Sequence, residues 1–267
     1  MPQIREPAVA GLFYPDDPLL LQQQMEQFLS TEAPVTACPK ALIVPHAGYI
    51  YSGPVAATAY AQLAPMRERI ERVVLLGPAH RVGFRGLAAT SALYFSTPLG
   101  VIRIDQDAME EILMLPQVHV LDEAHRQEHS LEVQLPFLQE VLRKSFSLIP
   151  LVVGEANTHE VAEVIEKLWG GPETLILISS DLSHYQDYAT ARRLDRNTAH
   201  AIEQLNPEAI DEHQACGRNP IRGLLLAAKH HNICPHRLDL RNSGDTAGTR
   251  DRVVGYGAWA FSDPDPC

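Results

Sequence analysis

Several things are scarce in this chain, and each scarcity removes a class of protein. Among 267 residues no apolar run approaches the ~20 that a membrane helix needs. The opening MPQIREPAVAGLFYP has neither the basic flank nor the apolar stretch of a secretory signal. Basic residues are outnumbered, 22 Lys and Arg against 33 Asp and Glu, for a formal charge of −11. That balance works against nucleic acid, whose affinity comes mainly from clustered Lys and Arg, and against an anionic membrane surface. The four cysteines, Cys38, Cys216, Cys234 and Cys267, show no CxxC spacing. Disulfides are not required at this size, so reduced thiols in a cytoplasm are the simpler expectation. No Pro/Gly/Ser-rich linker, charge block or periodic repeat divides the chain, so a single domain over 1–267 is expected.

What is present is an alternation of short apolar runs and amphipathic patterns. Strands are expected at 41–44, 72–76, 148–153 and 174–178, with a last one at 252–261. The first four are almost continuously apolar, as strands covered on both faces are. Helical patterns fall near 17–29 and 54–64. In 130–142, Leu131, Leu135, Leu138 and Leu142 share a face, with Ser130 as the expected N-cap. Asn219-Pro220 reads as a cap followed by proline at a first helical position. The alternation predicts an α/β sandwich around a mostly parallel sheet.

Polar residues then follow three of the strand candidates. The run 41–44 enters Pro45-His46, 72–76 enters Gly77-Pro78-Ala79-His80, and 174–178 enters SSDLSH with Asp181 and His184. Open α/β sheets bind ligands beyond the carboxyl ends of their strands. One histidine there is ordinarily a loop residue bonded to a carbonyl. Two at matching strand ends point towards a metal site, since imidazole suits iron, zinc, copper and nickel alike. Asp181, Glu128, Cys216 and Asp245 are the candidates for a further ligand. Asp245, in NSGDTAG ahead of the last strand, reaches the same edge only if that strand runs antiparallel; as an Asx-turn residue it needs no such role. Glu128 and His129 precede a helix start, where Glu128 is either a favourable charge or one of an acid/base or ligand-supporting pair. Cys216, in ACGRNP, is either a thiol made acidic by a helix start or a small packing residue. The histidines of KHHNICPH sit at an expected helix end, where cationic residues are favoured anyway.

The stretches PHAGYIYSG, LLGPAH, EHSLEVQLPFL, SSDLSHY, CGRNPI and SGDTAG…VVGYGAWAF, with the opening REPAVAGLFYP, resemble the Memo family's motifs in the family's order. Prokaryotic members are called AmmeMemoRadiSam system protein B, and the likeness spans almost the whole chain. It implies a three-layer α/β/α sandwich around a mixed sheet, like that of the class III non-haem-iron extradiol dioxygenases. Carried over, the family's metal positions fall on His46 and His80, with Asp245 at a third position that is cysteine in animal members. Two histidines and a carboxylate would favour Fe(II), with copper or zinc as other divalent candidates. Asp181 and His184 match the SSD-x-x-H motif and imply a proton-transfer pair, with His129 as the alternative. The family often has a second histidine where this chain has Arg81. The resemblance implies a mononuclear metal-dependent oxidoreductase acting on a small molecule; a metal-assisted hydrolase would use the same ligands. The alternative is a non-catalytic metal- or partner-binding subunit working with AMMECR-type and radical-SAM proteins. The sequence shows no arginine cluster suited to a phosphate.

Overall fold

The apolar runs form the middle of one mixed sheet in the computed structural model, which describes residues 3–30, 38–142 and 145–263. In chain order the strands are β1 (Ile4–Arg5), β2 (Ala41–Val44), β3 (Arg72–Pro78), β4 (Leu87–Ala89), β5 (Tyr94–Thr97) and β6 (Gly100–Ile104). There follow β7 (Val118–Val120), β8 (Ser147–Val153), β9 (Thr174–Ser179), β10 (His184–Gln186), β11 (Cys234–Asn242) and β12 (Val253–Ser262). The helices are α1 (Pro18–Leu29), α2 (Tyr49–Ala61), α3 (Gln106–Ile112), α4 (Asp122–Arg126) and α5 (Leu135–Leu142). The second half adds α6 (Thr158–Lys167), α7 (Tyr188–Glu203), α8 (Arg218–His230) and α9 (Ser243–Thr246).

The strands β8, β3, β9 and β2 lie side by side and parallel, with Leu76 opposite Leu151 on one flank and Ile178 on the other. Their side chains are buried because helices cover both faces. On one side α1, α2 and α5 pack together; α6, α7 and α8 form the other layer. The result is the expected three-layer sandwich. At Gly223 of α8 an added Cβ would lie 2.4 Å from Val161 Cγ1 of α6, so these helices meet closer than a side chain allows. The last strand is antiparallel, Trp259 of β12 lying opposite Ile43 of β2. β11 pairs antiparallel with β12 and has no counterpart in the apolar pattern, because CPHRLDLRN alternates charges and stays half-exposed.

Local expectations fared unevenly. The helix expected near 17–29 is α1, capped by Asp17, which accepts from the amides of Leu19 and Leu20 at 2.9 Å. α2 starts at Tyr49 rather than at 54, since the Tyr49 amide is taken by the Phe13 carbonyl at 2.8 Å and the turn closes on Gly48. Ser130 is not an N-cap: its hydroxyl donates to the Pro78 carbonyl at 2.9 Å, and a 3₁₀ turn at Glu132–Gln134 leads into α5. Asn219 is not a cap either, because its amide donates to the Gly154 carbonyl at 2.9 Å and α8 begins at Arg218. The expectation of reduced thiols fails at Cys38, which is disulfide-bonded; Cys216 and Cys234 are free. No described helix is long and apolar enough to cross a membrane.

The opening motif acquires a reason here. Glu132, fully buried, takes the Arg5 guanidinium, the amides of Ala8 (2.8 Å) and Val9 (2.9 Å), and the Tyr14 hydroxyl (2.7 Å). REPAVAGLFY is thereby strapped across the carboxyl edge of the sheet, bringing Phe13 beside the strand ends.

Candidate metal centre

Pro45 has no N–H to continue the ladder, so β2 stops and His46 turns inward, 1 % exposed. Its amide donates to Asp181 Oδ1 at 2.8 Å and its Nδ1 lies 2.8 Å from Ser179 Oγ. The Ser179 hydroxyl proton is already directed at the Ser130 carbonyl, 2.6 Å away, while Gln134 Nε2 donates to Ser179 Oγ at 2.8 Å. Ser179 Oγ therefore accepts from His46, which fixes the Nδ1–H tautomer and leaves the Nε2 lone pair free. Burial, with His80, His129 and His184 nearby, holds the His46 pKa well below the usual imidazole value. The ring is neutral, as a ligand must be.

His80 is set by the same logic at the end of β3. Its Nδ1 lies 2.9 Å from Glu128 Oε1 and its amide donates to Glu128 Oε2 at 2.7 Å. Glu128 also accepts from the amides of His129 and Ser130, both at 2.9 Å. Burial by itself would raise the Glu128 carboxyl; the His80 ring and these amides outweigh it and hold the pKa at about 2. An ionised carboxylate only accepts, so His80 carries its proton on Nδ1 and presents Nε2.

Cys216 supplies the third donor. Its Sγ is 3.3 Å from His46 Nε2 and 3.6 Å from the Asp181 carbonyl. One ligand atom from each of His46, His80 and Cys216 lies within 4.8 Å of the others. Burial, then the Asp181 carboxylate, pushes the thiol pKa up, so the idea of a thiol made acidic by a helix start does not hold. Gly217 makes the approach possible: an added Cβ would sit 2.6 Å from Ser180 Cβ, and its amide donates to Ser180 Oγ at 2.9 Å.

Asp245 is not brought to this group. It lies in α9, where Oδ2 accepts from the Asn242 amide at 3.2 Å and Oδ1 from the Tyr188 hydroxyl at 2.6 Å. The antiparallel last strand does return the chain to the right edge, but it is Ser243 and Gly248 that border the cavity. Asp245 faces a separate small cleft with Arg192 and Arg241.

His46 and His80 lie on the wall of a cavity of about 830 Å³, bordered by Phe13, Tyr51, Tyr185 and Tyr256, with Cys216 set behind His46. His184 lines it with Nδ1 donating to the Leu182 carbonyl at 2.8 Å, which leaves Nε2 as a base. That carbonyl, and not Asp181, orients the ring. Asp181 is buried but also borders the cavity, and burial pushes its carboxyl up against the opposing pull of His184 and the His46 amide. His129 stacks on His80 with centroids 4.6 Å apart; burial, then His80, lowers its pKa to about 4. His80, Glu128 and His129 form a second close donor group. Glu128 is so fully engaged by hydrogen bonds that it orients His80 instead of ligating. Cys216 had stood among the candidates in the sequence; Ser179 and Gln134 had not, and only their contacts with His46 and each other reveal them.

Fold and donors together define an α/β sandwich with a His/His/Cys cluster at the carboxyl edge of its sheet. A Memo-like protein family model matches residues 5–260. A MEMO1 family protein of Aquifex aeolicus (strain VF5) is 39% identical over 265 residues, covering 95% of this chain and 97% of that protein. Another, from Sulfolobus acidocaldarius, is 35% identical over 288 residues, covering 97% and 100%. A third, from Saccharolobus solfataricus, is 36% identical over 283 residues, covering 96% and 99%. The chain belongs to the Memo family.

Proposed function

We propose that this protein holds one transition-metal ion between His46 Nε2, His80 Nε2 and Cys216 Sγ and acts as a metal-dependent oxidoreductase on a small molecule admitted by the cavity. The observation that carries the reading is the pair of fixed tautomers beside one thiol, with His46 Nε2 and Sγ 3.3 Å apart and the three donors within 4.8 Å of one another. The residues fit a metal, since imidazole and thiolate both ligate iron, copper and zinc. With Cys216 in place of Asp245 the carboxylate argument for Fe(II) falls away, and the thiolate strengthens copper and zinc as competitors. Fe(II) remains the metal of the oxidoreductase reading.

A bound metal supplies Lewis acidity and open positions for substrate and a small oxidant such as oxygen. The chain's own groups do the rest. Glu128 and Ser179 hold the two imidazoles in their donor tautomers. Asp181 anchors the His46 backbone. His184, with Nε2 free on the cavity wall, takes a proton from a bound substrate, and neutral His129 is the second group placed for this. Phe13, Tyr51 and Tyr185 limit water at the mouth.

A second reading, a non-catalytic metal- or partner-binding subunit working with AMMECR-type and radical-SAM proteins, is favoured by one feature. Leu12, Ile50 and Tyr185 are 81%, 59% and 65% exposed, beside or among the lining residues Phe13 and Tyr51, and a partner would cover such side chains.

Anaerobic purification followed by metal analysis tests the site: His46→Ala and Cys216→Ala should lose most bound metal, whereas Asp245→Ala should keep it. Equal metal content in all four proteins would rule the site out. Oxygen consumption by the iron-loaded protein across a panel of catechols separates the readings, since a metal-replete protein without turnover supports the subunit.

A further inference from the structure

We infer that the chain has a second ligand site, a cleft outside the metal centre that binds a small, multiply charged oxyanion. The cleft has a volume of about 570 Å³ and is lined by Arg85, Arg218, Arg222, His119 and Asn157, among others. Arg85 is far from the other two arginines in sequence, which hides the cluster until the chain folds. Arg218 and Arg222 are four residues apart on α8 and so share a face. Arg85 arrives from the loop before β4.

The floor is built, not incidental. Glu155 N donates to the Phe84 carbonyl at 2.8 Å, Gly86 N to the Glu155 carbonyl at 2.9 Å, and Gly154 N to the Gly86 carbonyl at 3.0 Å. Gly86 has a φ of +81°, and a Cβ there would strike the Gln117 carbonyl at 2.1 Å. Asn219 ties the first turn of α8 to the same floor through the Gly154 carbonyl. Asn157, the N-cap of α6, and Arg218, the first residue of α8, bring two helix N-termini to the cleft, and both favour an anion.

The carboxylates nearby do not use up this charge from within. Glu208 meets Arg222 Nη2 at 2.9 Å, and Glu155, which also lines the cleft, only approaches Arg218 at 3.9 Å; these carboxylates are 76% and 77% exposed, so the pairs are weak. Glu160 turns back to cap α6 on the Asn157 amide at 2.7 Å. Among the described residues Arg85 makes no ion pair. Arg222 Nε is buried with no hydrogen-bond partner. A buried guanidinium N–H without an acceptor is unfavourable, so the hydrogen-bonding capacity of Arg222 is not used up within the chain. Arg85, without an ion pair among the described residues, stands beside the only partly engaged Arg218 and Arg222, a grouping that points to a phosphate- or polycarboxylate-bearing small molecule.

Isothermal titration of the metal-free full-length chain at low ionic strength, with inorganic phosphate, pyrophosphate and citrate in turn, tests this. At least one should bind saturably at one site, and the stronger of phosphate and citrate types identifies the source of the charge. Arg85→Gln and Arg222→Gln should each weaken binding about tenfold, the worth of one charge-assisted hydrogen bond. His46→Ala should leave it unchanged, and added salt should weaken it. Arg85 is in an exposed loop, so its variant remains informative even if Arg222→Gln folds poorly. Absence of saturable binding by all three up to ~10 mM, wild-type binding in both arginine variants, or loss in His46→Ala would each overturn the site; the last would move the anion to the metal centre.

Discussion

Glu128 shows how much a single side chain can settle. Four hydrogen bonds from His80, His129 and Ser130 make it an ionised acceptor, and that charge decides which nitrogen of His80 faces the cavity. Glu128→Gln should therefore lower metal affinity ~10–100-fold, as loss of a ligand-supporting partner does, in a competition titration with a chromophoric chelator. Unchanged affinity would mean that the ring is oriented by other contacts. His125 makes the other residue-scale prediction. It is buried against the Ala88 carbonyl at 2.9 Å, and burial lowers its pKa to about 4. A histidine depressed in the folded state stabilises fully above its unfolded pKa near 6.5 and loses that contribution as pH falls through about 4. The gap corresponds to stability on the order of 3 kcal/mol. Urea unfolding from pH 7 to pH 4 should show a steeper loss in wild type than in His125→Asn; parallel pH profiles would contradict it.

At the scale of elements, two contacts hold segments that the sequence leaves unconnected. Glu132 receives Arg5, Ala8, Val9 and Tyr14, so Glu132→Ala strands a buried guanidinium, at a cost of about 3–5 kcal/mol. Hydrogen exchange should accelerate first in residues 5–14, and uniform acceleration would show that the strap is not a separate unit. Where α6 and α8 meet, Gly223→Val should lower stability by about 1–3 kcal/mol, because Val161 leaves no room for a side chain. A melting temperature equal to wild type would show that the helices can separate without penalty. The periodicities of β2, β3, β8 and β9 were legible because each is apolar throughout and buried on both faces. β11 was not, because half of its surface is wet and its pairing with β12 decides its conformation. The start of α2 was missed because the partner of Tyr49 lies 36 residues back, at Phe13.

For the whole molecule, the single contiguous core running from Val9 to Phe261 predicts one cooperative unit over the described residues. Near- and far-UV circular dichroism should report coincident unfolding transitions, and two separated transitions would instead divide the chain. The sequence alone determined the layered α/β class, the parallel centre of the sheet and the delivery of His46, His80, Asp181 and His184 to strand ends, because burial and strand termination are local properties of a run of residues. Tertiary structure decided the rest. It set Cys216, and not Asp245, beside His46, since a 3.3 Å contact between residues 170 apart depends on Gly217 meeting Ser180. It gave His184 a carbonyl partner in place of Asp181, and it gathered Arg85, Arg218 and Arg222 into a cluster that no sequence window contains. A ligand set is a matter of distances between donor atoms, and the packing of whole layers fixes those distances.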